Sequence, residues 1–184
     1  LKKPPLLALE ALRIEWNERL QERCLKLAVP VAEGTPLADF SLSRRVVGPT
    51  RHSLQLGRSE HVVLDPERLR YVNHGCAPNV YFDVERRELV ALRAIAAESE
   101  LTFFYPSTEW SMAAPFECAC GAPACIRVVA GAATLSKDLL RSYRLAPHVR
   151  SAAGLDADEY ANGRFRFNDH GSDGAGSRSS SDVG

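Results

Sequence analysis

Asn73-His74-Gly75-Cys76-Ala77-Pro78-Asn79 is the stretch on which the reading of this 184-residue chain turns. It combines amides, an imidazole, a thiol, a glycine and a proline, a composition that bends backbone tightly and crowds hydrogen-bonding groups together. Alone it describes a polar turn between strands. Downstream, Glu100-Leu101-Thr102-Phe103-Phe104-Tyr105-Pro106 reads as a strand ending in aromatics. Ordinary β preference makes such rings core, yet a tyrosine at a strand end beside proline can also present its hydroxyl to a cavity. Further on stands Cys118-Ala119-Cys120-Gly121-Ala122-Pro123-Ala124-Cys125. Its C-x-C-x4-C spacing, with Gly and Pro to turn the chain, can wrap one tetrahedral zinc and leaves the fourth position open. A catalytic zinc keeps water there, whereas a structural zinc recruits a remote ligand, for which Cys76 is the obvious thiol. The alternative is a local disulfide or a fortuitous cluster, but adjacent-but-one cysteines pair badly and uneven clustering in a reducing compartment points to metal. Cys24 has no partner in this scheme and reads as a small buried hydrophobe.

The rest of the chain sets the frame. Hydrophobic residues make up 45% and charged residues 25%, the balance of a globular domain, which excludes collagen-like, coiled-coil and wholly disordered classes. Lys plus Arg number 23 and so do Asp plus Glu, so bulk charge gives no reason to expect nucleic acid or an anionic membrane as partner. No apolar run approaches the roughly 18 residues that span a bilayer, and the expectation is an intracellular chain without nucleic-acid or membrane partners. Leu9, Leu12, Trp16 and Leu20 share a helical stripe, so residues 1–22 are expected as an amphipathic helix begun at Pro4-Pro5. The period then changes to two, with short strands expected at 25–31, 36–40, 45–47, 53–56, 61–64, 79–84, 88–95 and 101–104. Residues 66–71 fit one helical turn, and residues 137–145 have helical character. The expected organisation is a β-rich domain over 23–110, a zinc-binding segment over 111–130, a helical extension over 131–150 and a largely disordered tail over 151–184, where apolar residues thin out.

In this order, the three motifs resemble the SET-domain protein-lysine methyltransferases with a post-SET zinc module. The family's NHSCxPN stands here as NHGCAPN, its ELTFDY as ELTFFY, and the post-SET C-x-C-x4-C is matched in full. The stretch LAVPVAEGTPL at 27–37 is similar to the family's opening strand and turn. Joint occurrence is far more specific than any one piece. The resemblance implies a mainly β, β-rich α+β SET-domain fold with knot-like C-terminal threading, flanked by helices at both ends. It implies that Asn73 and His74 hold S-adenosylmethionine, that Cys76, Cys118, Cys120 and Cys125 hold a structural zinc, and that Tyr105 is catalytic. Phe103 matches the position that helps set how many methyl groups are added, and Phe there favours di- or trimethylation. Phe104 and, more weakly, Tyr81 are expected to line the substrate channel. The implied partner is a protein substrate bearing lysine.

The chain departs from the family at named places. The family commonly opens with G-x-G, and the corresponding stretch here is Glu22-Arg23-Cys24, with side chains in place of both glycines. Phe104 stands for the usual Asp, and Gly75 for Ser. Two functions are therefore carried forward: methyl transfer from S-adenosylmethionine to a lysine ε-amine, and a non-catalytic, zinc-stapled binding module that kept the fold and lost the cofactor. A nucleic-acid-binding zinc protein is opposed by the neutral charge and by the lack of a basic helix after the cysteines.

Overall fold

The computed structural model describes residues 6–155, so the Pro4-Pro5 start and most of the tail lie outside the described residues. The stretch expected as an N-terminal helix is instead a short 3-10 turn, Leu9–Ala11, followed by a hairpin of β1 (Leu12–Asn17) and β2 (Glu22–Leu27). The strands pair antiparallel from Leu12 opposite Leu27 to Asn17 opposite Glu22. Pairing overrides the helical spacing because it places Leu12, Leu25 and Leu27 together in the core while Trp16, on the supposed apolar stripe, stays 52% exposed. The turn is set locally. Asn17 Oδ1 accepts the N–H groups of Arg19 (3.0 Å) and Leu20 (3.1 Å), and Gln21 closes the turn at a φ of 52°.

Short strands follow, most of them within the expected stretches, with those at 73–74, 116–117 and 128–129 outside them. They are β3 (Pro36–Asp39), β4 (Arg44–Val46), β5 (Ser53–Gln55) and β6 (His61–Val63), then β7 (Asn73–His74), β8 (Val80–Asp83), β9 (Glu88–Ala91), β10 (Thr102–Phe103), β11 (Phe116–Glu117) and β12 (Val128–Val129). They form small sheets: β3-β9-β8 and β4-β6-β5, both antiparallel, the antiparallel pair β11-β12, and the parallel pair β7-β10. A 3-10 turn at Glu67–Tyr71 delivers the chain to β7. Apolar faces of these sheets meet in one core that includes Leu25, Leu37, Phe40, Val62, Leu69, Phe82, Leu89 and Leu101. The architecture is mainly β, as expected.

A second apolar cluster joins the end of β10 to the C-terminal helices α1 (Lys137–Arg141) and α2 (Pro147–Ala153), through Phe104, Val84, Leu140, Tyr143, Leu145 and Val149. Ser136 caps α1 by accepting the Leu139 N–H at 3.2 Å. Pro147 opens α2, because proline suits the first helical turn. The extension thus runs past the expected boundary at 150: α2 continues to Ala153, Gly154 ends it at a φ of 63°, and Leu155 is buried.

Candidate active site and cysteine cluster

The heptapeptide is less a turn than a short strand and its exit. Asn73 lies opposite Thr102 and His74 opposite Phe103 in the parallel β7-β10 pair, which brings the first and second motifs side by side. Asn79 fastens them: its Nδ2 donates to Glu100 O (2.8 Å) and its Oδ1 accepts the Thr102 N–H (2.8 Å). Gly75 donates its N–H to Phe103 O at 3.0 Å, and a Cβ there would come within 2.7 Å of Thr102 Oγ1. The strands approach this closely because position 75 carries no side chain.

Asn73 Nδ2 donates to Arg23 O (3.1 Å) and Glu100 Oε1 (3.0 Å), and Glu100 Oε2 accepts from Asn17 Nδ2 (2.6 Å). The motif asparagine therefore ties β7 to the opening hairpin. His74 Nδ1 accepts the Tyr105 N–H at 3.3 Å, which puts the ring proton on Nε2, 3.2 Å from Cys76 Sγ. Burial pushes the His74 pKa down to about 4, so the ring is neutral. The Tyr105 hydroxyl donates to Val72 O at 3.3 Å, and its ring meets those of Phe103, His74 and Phe116 at centroid distances of 4.6, 5.3 and 6.0 Å. Burial raises the Tyr105 pKa well above the ordinary tyrosine value, so the hydroxyl keeps its proton.

These residues open onto one cavity of about 830 Å³, whose wall includes Glu22, Arg23, Asn73, His74, Phe103, Tyr105, Phe116 and Cys120. Phe103 lies in that wall. Phe104 and Tyr81 do not. Phe104 turns into the second core, stacked on Tyr143 at 3.6 Å with the planes 5° apart, and Tyr81 lies outside the cavity with the Arg144 guanidinium 3.8 Å over its ring. Successive residues of a strand point to opposite faces, so Phe103 and Phe104 cannot share one wall. Of the Glu22-Arg23-Cys24 stretch, Glu22 and Arg23 reach the cavity, while Cys24 is fully buried on the core side. Glu22 Oε1 accepts from Arg51 Nη2 at 2.6 Å.

Cys76, Cys118, Cys120 and Cys125 converge with all Sγ atoms within 4.8 Å of one another, which is the only such ligand group among the described residues. The donor set fits a tetrahedral thiophilic cation. Backbone N–H groups of Ile126, Ala122 and Arg127 point at Cys76, Cys120 and Cys125 Sγ at 3.5, 3.5 and 3.4 Å, the support that thiolates need. The Tyr143 hydroxyl braces the loop from behind by donating to Cys76 O at 2.8 Å. The cluster also shapes the cavity, since Phe116, Cys118 and Cys120 stand in its wall and the Arg19 guanidinium donates to Ala119 O.

Glu109 and Phe116 are site residues that sequence reasoning missed. Phe116 opens β11 and faces the His74 and Tyr105 rings; its place just before the cysteines was the available signal. No motif marks Glu109.

Comparison with known proteins bears on the family and the fold. A family model described as SET domain matches residues 13–106. Methyltransferase flvH of Aspergillus flavus is 40% identical over 103 residues, which are 55% of this chain and 57% of that protein. Among solved structures, KRYPTONITE in complex with mCHG DNA and SAH is similar in fold, with a TM-score of 0.51 and 20% identity over 64% of this chain and 28% of that one. The chain thus spans just over half the length of the curated relative. Because that structural neighbour is a complex with DNA, the comparisons lend no support to the expected absence of a nucleic-acid partner.

Proposed function

Because the chain belongs to the SET-domain family, we propose that it transfers a methyl group from S-adenosylmethionine to the ε-amine of a lysine in a protein substrate. The observation that carries this reading is that Tyr105 and Phe103 stand in the wall of the same cavity as Asn73 and His74. When bound, S-adenosylmethionine supplies an electrophilic methyl group on a sulfonium. The cavity volume of about 830 Å³ falls in the usual range for small-molecule sites, ~300–1,000 Å³.

The chain's own residues then have defined work. Asn73 and His74, tied to the hairpin and to Tyr105, hold the cofactor. Phe103, Phe116 and the Tyr105 ring give an apolar wall that disfavours an ammonium, which matters because a free lysine amine has a pKa of ~10.4 and must lose a proton before it can attack. The Tyr105 hydroxyl donates to Val72 O, so its oxygen is free to accept a hydrogen bond from the incoming amine and aim the nitrogen lone pair. Phe103 brings no hydroxyl to hold a water, which leaves room for more than one methyl group. Cys76, Cys118, Cys120 and Cys125 would hold a structural zinc that pins the cysteine segment over the cavity.

The second reading, a binding module without catalysis, is favoured by Glu22, paired with Arg51, standing where the family has glycine. Calorimetry with S-adenosylmethionine on zinc-replete protein separates the two. Saturable one-to-one binding, with methyl transfer lost in Tyr105→Phe while cofactor affinity persists, supports the enzyme. A folded, zinc-loaded protein that binds no cofactor supports the module.

A further inference from the structure

Glu109 is a buried carboxylate in the cavity wall to which the reading above gives no role. It is 6% exposed, whereas Glu22 and Glu117 in the same wall are exposed. The 3-10 turn that begins at Tyr105 sets its place: the Glu109 N–H donates to Tyr105 O at 3.0 Å, so both side chains leave one turn of backbone. Oε1 accepts from the Gln55 N–H (2.8 Å) and from Thr108 Oγ1 (3.3 Å). Among the described residues nothing donates to Oε2. Gln55 holds the other side of the turn, its Oε1 accepting the Trp110 N–H at 2.9 Å and its Nε2 donating to Gly57 O at 2.8 Å. A carboxylate fixed from two elements, with one oxygen satisfied and the other left without a protein donor beside a cavity, is arranged for a cationic ligand.

Resting on the methyltransferase reading, we propose that Glu109 Oε2 binds the ammonium form of the substrate amine and takes its proton, passing the neutral amine to Tyr105. One N–H bond of R–NH3+ breaks with its electron pair left on nitrogen, and the proton bonds to Oε2. Ammonium and carboxylate become amine and carboxylic acid, and loss of the proton to water through the cavity resets the group. The surroundings suit the task. Burial raises the Glu109 pKa to about 7, against the pull of the Gln55 and Thr108 hydrogen bonds, which places it where a base near neutral pH is most effective. The titratable groups around it are Tyr105 on its own turn, Arg51 and His52 in the wall of the same cavity, His61 opposite Gln55 in β6, and His148 of α2, whose ring bonds to Thr108 O at 2.7 Å.

The test uses the full chain, zinc-replete and saturated with S-adenosylhomocysteine, and n-butylammonium as a probe that carries the lysine side-chain amine without a backbone. Wild-type protein is expected to bind the probe, with affinity about tenfold lower at pH 6 than at pH 8, the ratio of ionised Glu109 for a pKa of about 7. Glu109→Gln keeps an oxygen for Gln55 and Thr108, and is expected to bind S-adenosylhomocysteine normally while losing probe affinity and the pH dependence. Glu109→Asp is expected to bind more weakly but to keep the pH dependence. Equal probe binding by wild type and Glu109→Gln, or pH-independent binding by wild type, overturns the assignment. If wild-type protein fails to bind S-adenosylhomocysteine at all, the methyltransferase reading fails, and this inference with it.

Discussion

Replacing Phe104 by alanine should unfold the C-terminal brace of this protein rather than widen a channel. The ring is 2% exposed, lies flat on Tyr143 at 3.6 Å, and sits among Leu140, Leu145 and Val149. Deleting a buried phenylalanine costs ~3–5 kcal/mol, which already contains the ~0.5–1.5 kcal/mol of a stacked pair. Taking about 4 kcal/mol, and ~2–4 °C per kcal/mol for a domain of this size, the Tm should fall by about 8–16 °C. Urea unfolding of zinc-replete wild type and variant, with the slope compared as well as the midpoint, gives the difference directly. Phe104→Leu supplies the functional half of the experiment. It keeps most of the apolar volume, costs about 1–2 kcal/mol through the lost ring pair, and should leave cofactor affinity and methyl transfer per folded molecule within twofold of wild type. A cost below 1 kcal/mol for the alanine variant, or a tenfold loss of transfer in a stable leucine variant, would refute the placement of this ring outside the cavity.

Gly131 has a φ of 108°, and a Cβ there would fall 2.6 Å from Trp110 O, so Gly131→Ala should destabilise by at least ~2 kcal/mol, read from thermal melts. Metal analysis should find one zinc per chain. Chelation should raise hydrogen exchange across residues 116–129 and weaken S-adenosylmethionine binding, because Phe116, Cys118 and Cys120 stand in the cavity wall; unchanged exchange would count against a metal-built segment. The pH dependence of stability has a definite sign at Glu109. Its folded pKa, about 7, lies above the ordinary glutamate value of 4.5, so the folded state binds more protons between those values and stability falls as pH rises from about 4.5 to 7. The fully developed cost above pH 7 is about 3 kcal/mol, so Glu109→Gln should be more stable than wild type at pH 8 and should gain nothing at pH 4. Equal pH profiles for the two proteins would show that the carboxyl is not buried as described.

The strands and the motif residues were legible because their signals are local. Period-two stretches bounded by Gly and Pro gave most strands to within a few residues, and the paired motifs carried Asn73, His74, Phe103 and Tyr105 to one cavity. The misses come from contacts made at a distance. Residues 12–20 carry a helical stripe and a strand alternation at once, and only β2 decides between them. Phe104 looks like channel lining beside Phe103 until the helices, where Tyr143 waits some forty residues on, claim it for the second core. Tyr81 likewise answers to Arg144. Glu109 belongs to no motif, and its burial depends on β5, more than fifty residues away. In each case the local pattern admits two structures and a distant partner chooses.

The Arg19 guanidinium rests on the carbonyl of Ala119, a separation of 100 residues along the chain. On a ribosome adding ~5–20 residues per second, the opening hairpin therefore waits about 5–20 s for the segment that completes its side of the cavity. During that interval the side of the cavity carried by the hairpin lacks its facing wall of Phe116, Cys118 and Cys120. The order of synthesis thus leaves the cavity open on that side until the cysteine segment has been made.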